Sequence, residues 1–473
     1  MRIAFVAAEM APHAQVGGLG DVTRWLPRAL AAGGDEVAVF LPGYDVLDPK
    51  GLAVRPVAGV GEVPLGPLGT TGLRTLGDPA PGSPTVYLVD APQLFHAGAV
   101  YPGAEDHLRF GALAAAVPAL CGALGWVPNV VHANDWHTGL AALYLARAGE
   151  PWASLPVVFT VHNLAYQGLF PAADLARLGL EAFAGRFDPD DLAGGWLNSL
   201  KTGIATASVV TTVSPSFARE MVTPERGMAL DATLRARGDL PVGILNGIGD
   251  DRDPLTDPHL PYRYDVGDLE GKAVSTAALR RRFGLRERPG VPVLGVVSRM
   301  DRQKGFDLLR ETMPPLLARN RVQLAALGTG DPAIESLFAG LARRFPAEAA
   351  HVAAFDLGLS HLVEAGADIF LMPSVFEPSG LNQMYSMRYG TPPVAHRTGG
   401  LGDSIQQWDG VDGTGFLFEP HTSEAFASAL EDALSCHEDQ EGWRRLVTNG
   451  MTQDFSWAAR AEEYRAVYRR AAG

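Results

Sequence analysis

The chain has 473 residues, 47% of them hydrophobic, with a formal net charge of −14 and two cysteines. That length exceeds one hydrophobic core, so two domains are expected. The acidic balance argues against a nucleic-acid backbone as partner, and Cys121 and Cys436, far apart in sequence, support neither a disulfide framework nor a Cys-based zinc site.

The first segment, "RIAFVAAE", reads as a strand and leads straight into the glycine turn "VGGLGD". Its apolar run is short and shows no cleavage pattern. No later window approaches the roughly 18 apolar residues of a membrane span, so a cytoplasmic protein without a membrane partner is expected. In "DVTRWLPRALAAGGD", Val22, Trp25, Leu26, Ala29 and Leu30 fall on one helical face. Asp21 is the expected N-cap of that helix and Gly33 its stop. Strands are then predicted in "DEVAVFLP", "TVYLVD", "NVVHAND", "LPVVFTVHN" and "SVVTTVS". A second series follows in "VPVLGVVSRM", "VQLAALGTGD", "HVAAFD", "ADIFLMPS" and "TPPVAHR". Continuous apolar strands separated by helices indicate parallel sheets buried on both faces. The Gly-, Pro- and Asp-rich run between the two series places a domain boundary near residues 245–250. The expected class is therefore α/β, with two doubly wound domains in tandem. Such folds bind ligands at the carboxyl ends of their strands.

Several motifs lie at those ends. The pentapeptide GGLGD occurs at 17–21 and again at 399–403. It is not the G-x-G-x-x-G of a dinucleotide fold, and the second strand ends in "VFLPGY" without the acid that would hold a ribose. One copy alone is either a tight turn or an anion-binding helix start; a copy in each domain favours a shared cleft. Arg299 and Lys304 in "SRMDRQKG" follow a strand and suit a diphosphate, against the plainer reading of solvated surface charge. In "SVFEPSGLNQMY" a strand ends at Ser374, a loop carries Glu377, and Ser379 and Gly380 are expected to open a helix whose N–H groups receive phosphate. A carboxylate there fits sugar hydroxyls, or else simply the helix dipole. His132 and His137 have no third partner for a metal, and no metal or cofactor is expected. No nucleophile elbow or Walker loop is present.

Taken together, "VGGLGDV", "HANDWHTG", "FTVHNLAYQG", "TTVSPSFARE", "GILNGI", "SRMDRQKGFDLL", "FEPSGLNQMYSMRYGTPPV" and "RTGGLGD" resemble the bacterial glycogen synthases and plant starch synthases over nearly the whole chain. The resemblance implies the GT-B architecture, two facing Rossmann-like domains about an interdomain cleft. It assigns 1–245 to the acceptor side, 246–452 to the nucleotide sugar, and 453–473 to a terminal helix packing back on the first domain. It also implies retaining transfer of glucose from ADP-glucose to the 4-hydroxyl of an α-1,4-glucan such as glycogen. Arg299 and Lys304 would neutralise the diphosphate. Glu377 would contact the glucosyl hydroxyls, with Ser379, Gly380 and Leu381 assisting through their backbone. His162 would line the glucose, Asp135 the acceptor side, and Phe355 would stack on the adenine. Gln15, Gly17, Gly18, Asp21, Asn163, Asn246, Gly399 and Gly400 complete the implied substrate contacts. The alternatives are a related transferase with another nucleotide or acceptor, and a glucan-binding relative of weak or no turnover.

The chain departs from the family pattern at several places, Phe355 among them, where tyrosine is frequent. Gln15 stands where lysine is usual, Val375 where arginine is common, and Ser379 where cysteine is common. "GIGDDRDP" replaces the usual G-I-D…W-N-P linker.

Overall fold

The computed structural model describes residues 1–473 except 79, 102 and 104. The chain forms two compact units, Met1–Gly247 with Ser456–Gly473, and Ile248–Phe455. Both are α/β, the second with a parallel sheet and the first with a mainly parallel one, flanked by helices.

In the first unit the sheet runs in the spatial order Val242–Gly243, Val209–Thr212, Val157–Val161, Val130–Asn134, Arg2–Val6, Glu36–Pro42, Thr85–Asp90, Thr70–Leu76, Val54–Pro56. The strands from Val242–Gly243 to Thr85–Asp90 are parallel. Their apolar runs are buried throughout; Ile3, Phe5, Val6, Val130, Val131 and Val158 have no exposed surface. The last two strands are antiparallel, an edge that the sequence reading passed over. "TTGLRTL" is only partly apolar and its burial is broken, so it lacks the continuous run that marked the others.

The second unit has six parallel strands in the order Ala349–Val352, Gln323–Leu327, Val293–Val297, Ile369–Met372, Pro393–His396, Phe416–Phe418.

Each sheet reverses its winding once. In the first unit the chain goes outward on one side of Arg2–Val6 and then returns to its other side at Val130–Asn134. In the second, the same reversal separates Val293–Val297 from Ile369–Met372. At such a reversal neighbouring loops diverge and leave a crevice at the strands' carboxyl ends. The segments that leave these four strands carry Gln15 and Asp135 in one unit, and Arg299 and Glu377 in the other.

Two local expectations need correction. The first helix spans Gly18–Ala32 with Gly17 as N-cap and Gly33 as C-cap, so Asp21 lies inside the first turn rather than capping it. The helix starts earlier because the N–H groups of Val16 and Gly17 already have an acceptor, the Glu9 carboxylate. The helix after Glu377 spans Asn382–Arg388, not from Ser379. Gly380 sits at φ +65, a left-handed conformation that breaks the helical run before it begins.

Candidate functional site

In the first unit the site is assembled on three strand ends. Glu9 follows Arg2–Val6 and is 2% exposed. Its Oε2 accepts from the N–H of Val16 (2.6 Å) and of Gly17 (2.7 Å), which ties down the start of the GGLGD turn. Burial raises the Glu9 carboxyl pKa, against the two N–H donors that lower it. Glu9 was not singled out from sequence. An acid closing an apolar strand just before a glycine turn was its only signal.

Gln15 is exposed, and its amide folds onto its own loop: Nε2 donates to Asp21 Oδ2 (3.0 Å) and to the Gly17 carbonyl (3.4 Å). A neutral donor thus bridges two acceptors of the turn, so a lysine here would meet the Asp21 carboxylate first.

Asp135 follows Val130–Asn134 at φ +56, ψ −178, a conformation that costs a non-glycine residue free energy. The surroundings hold it there. Its N–H donates to the Thr160 carbonyl (2.9 Å), and its Oδ1 accepts from the His162 N–H (2.7 Å). Burial pushes the Asp135 carboxyl up to about 7; the His162 and Asn163 N–H groups oppose this and the Glu9 charge adds to it. That electrostatic coupling connects the Glu9 turn to the Asp135 turn.

The His162 ring is oriented from behind. Asn134 Nδ2 donates to the Val6 carbonyl (3.0 Å), which turns Asn134 Oδ1 toward His162 Nε2 (3.0 Å). Nε2 therefore carries the proton and Nδ1 is the bare nitrogen. Burial pulls the ring's pKa down to about 3, so it stays neutral. Asn163 Oδ1 caps the next turn by accepting from Ala165 N–H. Asn246 is 5% exposed, and its Oδ1 has no hydrogen-bond partner among the described residues.

In the second unit, three segments converge. Gly305 lies at φ +65, and a Cβ there would sit 2.0 Å from the Pro373 carbonyl oxygen, so only glycine lets 302–305 approach the 373–377 loop. The contact is laced by Val375 N–H to the Gln303 carbonyl (2.8 Å) and by Gln303 Nε2 to the Phe376 carbonyl (3.2 Å). The result places Lys304 Nζ 2.6 Å from Glu377 Oε2. Ser374 Oγ donates to the same oxygen at 3.0 Å. Glu377 is 7% exposed, and the lysine compensates the cost of burying its charge.

The third segment is the second GGLGD. Its helix spans Gly399–Ser404. The Gly400 N–H donates to the Glu377 carbonyl (3.0 Å) and the Pro378 carbonyl (3.2 Å). A Cβ on Gly399 would lie 2.1 Å from the Glu377 carbonyl oxygen, and one on Gly400 2.1 Å from that of Ser379. These glycines are needed for backbone contact with the Glu377 loop.

The loop that follows is tied down as well. Gln383 Nε2 donates to the carbonyls of Ser379 (3.0 Å) and Gly380 (3.2 Å), and Asn382 Nδ2, next to Leu381, reaches the Val297 carbonyl (2.6 Å). Arg299 is half exposed and pairs with Asp301 at 3.2 Å. Phe355 is 89% exposed on the loop after Ala349–Val352, its ring face uncovered.

Each unit therefore offers a distinct chemistry. The first presents a neutral imidazole, a carboxyl near neutrality and oriented amides. The second presents two cations, an oriented carboxylate and an exposed ring. Among the described residues, no group of three or more His, Cys, Asp or Glu side chains is arranged to hold a metal ion, and no helix is long and apolar enough to cross a membrane.

Residues 2–236 match the family model described as starch synthase catalytic domain, and 291–436 that described as glycosyl transferases group 1. A glycogen synthase from Anaeromyxobacter dehalogenans is 46% identical over 485 residues, covering 99% of each chain. One from Thioalkalivibrio sulfidiphilus is 43% identical, again over 99% of each chain. Among solved structures, the catalytic domain of starch synthase IV from Arabidopsis thaliana, bound to ADP and acarbose, superposes with a TM-score of 0.89 at 34% identity, covering 99% of each chain. A sucrose-phosphate synthase from Thermosynechococcus elongatus, at 20% identity and a TM-score of 0.61, shares the fold.

Proposed function

The chain belongs to the glycogen and starch synthase family, and from that premise we propose how its residues divide the work of glucan elongation from ADP-glucose. The reading rests above all on one observation: Lys304 and Glu377, 73 residues apart in sequence, meet at 2.6 Å beside the backbone of Gly399 and Gly400.

The second unit takes the donor. As the glycosidic bond breaks, negative charge grows on the departing ADP. Lys304 and Arg299 are fixed cations that stabilise this charge more in the transition state than in the ground state. The Arg guanidinium gives a fork of donors and the lysine a point charge. Among the described residues, both hydrogen bonds to the Glu377 carboxylate fall on Oε2. Oε1 is therefore the oxygen that accepts from glucosyl hydroxyls. The backbone of Ser379, Gly380 and Leu381 assists at phosphate and sugar, and Phe355 offers its exposed face to the adenine.

The first unit takes the glucose and the acceptor. His162 stays neutral, and its bare Nδ1 accepts a hydroxyl. Asp135 pins the His162–Asn163 backbone and serves the acceptor side. The Gln15, Gly17, Gly18 and Asp21 turn and Asn246 complete this half. Anomeric configuration is retained by same-face attack, with the leaving phosphate accepting the acceptor hydroxyl's proton.

The test is incorporation of labelled glucose into glycogen from ADP-glucose and, in parallel, UDP-glucose. Incorporation from ADP-glucose is expected. Glu377→Gln should lower kcat by about 100-fold or more, in a protein that still folds although it loses the ion pair to Lys304. No incorporation, under conditions where a known synthase works, overturns the reading.

A further inference from the structure

A buried lysine of the second unit takes no part in the chemistry above. The helix Glu270–Phe283 turns Lys272 inward, and the residue is 8% exposed. Its Nζ lies 2.7 Å from Thr391 Oγ1, 3.0 Å from the carbonyl oxygens of Ala365 and Ala367, and 3.2 Å from that of Tyr389. Among the described residues these are its hydrogen-bond partners, and all four are neutral. The carboxylate next in sequence to Ala365, that of Glu364, is engaged by Arg252. A buried charge ordinarily needs an opposite one beside it. Here two helix ends stand in its place. Leu357–Gly366 ends at Ala367 and Asn382–Arg388 at Tyr389, so the ammonium meets the free carbonyls and negative dipole ends of both. Burial pulls the Lys272 pKa down to about 8, with the Asp368 charge opposing this.

The oxygens are held by bonds of their own. Thr391 Oγ1 donates its proton to the Glu364 carbonyl (2.6 Å), which leaves its lone pairs for the ammonium, and Thr391 N–H donates to the Ser386 carbonyl (2.7 Å). Tyr264 OH donates to the Tyr389 carbonyl (2.8 Å). The places of these oxygens in the chain give them their interest. Ala365 and Ala367 precede the strand Ile369–Met372, whose far end leads to Glu377. Tyr389 closes the helix that follows the 377–381 loop. Thr391 precedes Pro393–His396, the parallel neighbour of that strand, which leads to Gly399 and Gly400. One ammonium thus fastens, at the amino edge of the sheet, the three segments that carry donor groups at its carboxyl edge. A four-residue strand is about 13 Å long, so Lys272 touches no reacting atom.

We propose that Lys272 is a positioning residue for transfer, setting the Glu377 strand, loop and helix against Gly399 and Gly400, and that the four-oxygen pocket it fills takes a free ammonium ion once the side chain is cut back. The positioning role rests on the donor assignment above; the pocket does not. Without the charge, two helix ends with unpaired carbonyls face each other across a buried gap. They move apart, and the strands that begin beside them shift as well. The pocket outlasts the side chain because its oxygens belong to the backbone and to Thr391, and other hydrogen bonds hold them. An ammonium ion brings the same charge, the same kind of donor and nearly the same size as the end of the lysine.

The experiment compares the full-length parent with Lys272→Ala, which vacates the pocket, and Lys272→Met, which fills it with an apolar chain of similar length. Glucose incorporation and melting temperature are measured in ammonium chloride and in tetramethylammonium chloride at equal ionic strength, with the kinetics well below each melting temperature. In tetramethylammonium, kcat of both variants should fall on the order of 100-fold, while the KM for glycogen, assigned to the other unit, keeps the parent's value. Ammonium should raise kcat of Lys272→Ala at least about tenfold and its melting temperature by about 3 °C or more, and should leave the parent and Lys272→Met as they were. A kcat of Lys272→Ala equal to the parent's in tetramethylammonium overturns the positioning role, as does a melting temperature that ammonium raises without recovery of kcat. Identical kcat and melting temperature of Lys272→Ala in the two salts overturn the pocket. If Lys272→Ala is unfolded in tetramethylammonium, circular dichroism reads the pocket instead: folding on addition of ammonium supports it, and no folding overturns it. If the parent incorporates no glucose, yet ammonium raises the melting temperature of Lys272→Ala alone, the pocket stands and the transfer reading fails.

Discussion

His132 has no exposed surface, and its Nδ1 and Nε2 lie 2.7 Å from Tyr468 OH and 2.6 Å from Thr160 Oγ1. Burial pulls its pKa down to about 3. In the unfolded chain a histidine takes its proton near pH 6.5. Between those values the unfolded state binds more protons, so the contribution of His132 to stability is full above about 6.5 and is lost as pH falls below it. Replacing it by glutamine removes this loss. The stability advantage of the parent over His132→Gln should therefore shrink by about 1.4 kcal/mol per pH unit below 6.5, read from urea unfolding at about pH 7, 6 and 5. A gap independent of pH would contradict a neutral, buried imidazole. The comparison needs a single variant because Asp135, held near 7, titrates in the opposite sense. Residue chemistry was also what the sequence conveyed best. Glu377 and Lys304 could be singled out in the sequence because a carboxylate and a cation stood just after apolar strands, and His162 through the family resemblance. Glu9 and Asn134 could not, since their importance lies in what they orient.

The two GGLGD pentapeptides are alike in sequence and differ as elements. The first starts a 15-residue helix, held by the Glu9 carboxylate. The second starts a six-residue helix pressed against the Glu377 loop. A Cβ on Gly17 would find only Glu9 Oε1, at 3.9 Å, whereas one on Gly400 would collide with backbone. Gly400→Ala must push the 377–380 loop away by roughly 1 Å, and a displacement of that size at a reacting group costs about 100-fold in rate. The expected outcome is a kcat reduced to that degree in a folded protein, checked by circular dichroism beside the glucose-incorporation assay. Retention of more than half the activity would show that this contact does not position Glu377. From sequence the two copies were indistinguishable, because the pentapeptide does not contain the surface it packs on. The helix start after Glu377 was misplaced for a related reason: Ser-Gly resembles a helix opening, and only the chain's path puts Gly380 at a positive φ.

On the scale of the whole molecule, the chain ends where it began. The helix Trp457–Ala472 packs against Gly18–Ala32 and buries Trp457, Tyr464, Val467 and Tyr468. Arg465 donates from Nε to Asp35 Oδ2 (2.6 Å) and from a terminal nitrogen to the Leu30 carbonyl (2.8 Å). Three buried aromatics, at about 150–250 Å² each, are worth on the order of 10 kcal/mol, comparable with the entire stability of a domain. A chain ending at residue 455 should therefore be insoluble, or melt at least about 10 °C lower; a melting temperature within about 2 °C of the parent would show that the helix contributes little. The sequence by itself determined the alternation of strands and helices and the two-sheet α/β class, and it put forward the side chains proposed for a sugar nucleotide. Those follow from local periodicity and from the chemistry of single residues. Only the tertiary structure decided that Lys304 meets Glu377, that Glu9 holds the first glycine turn, and that Tyr468 closes over His132. Each depends on segments remote in the chain arriving within about 3 Å, and no local pattern encodes that coincidence.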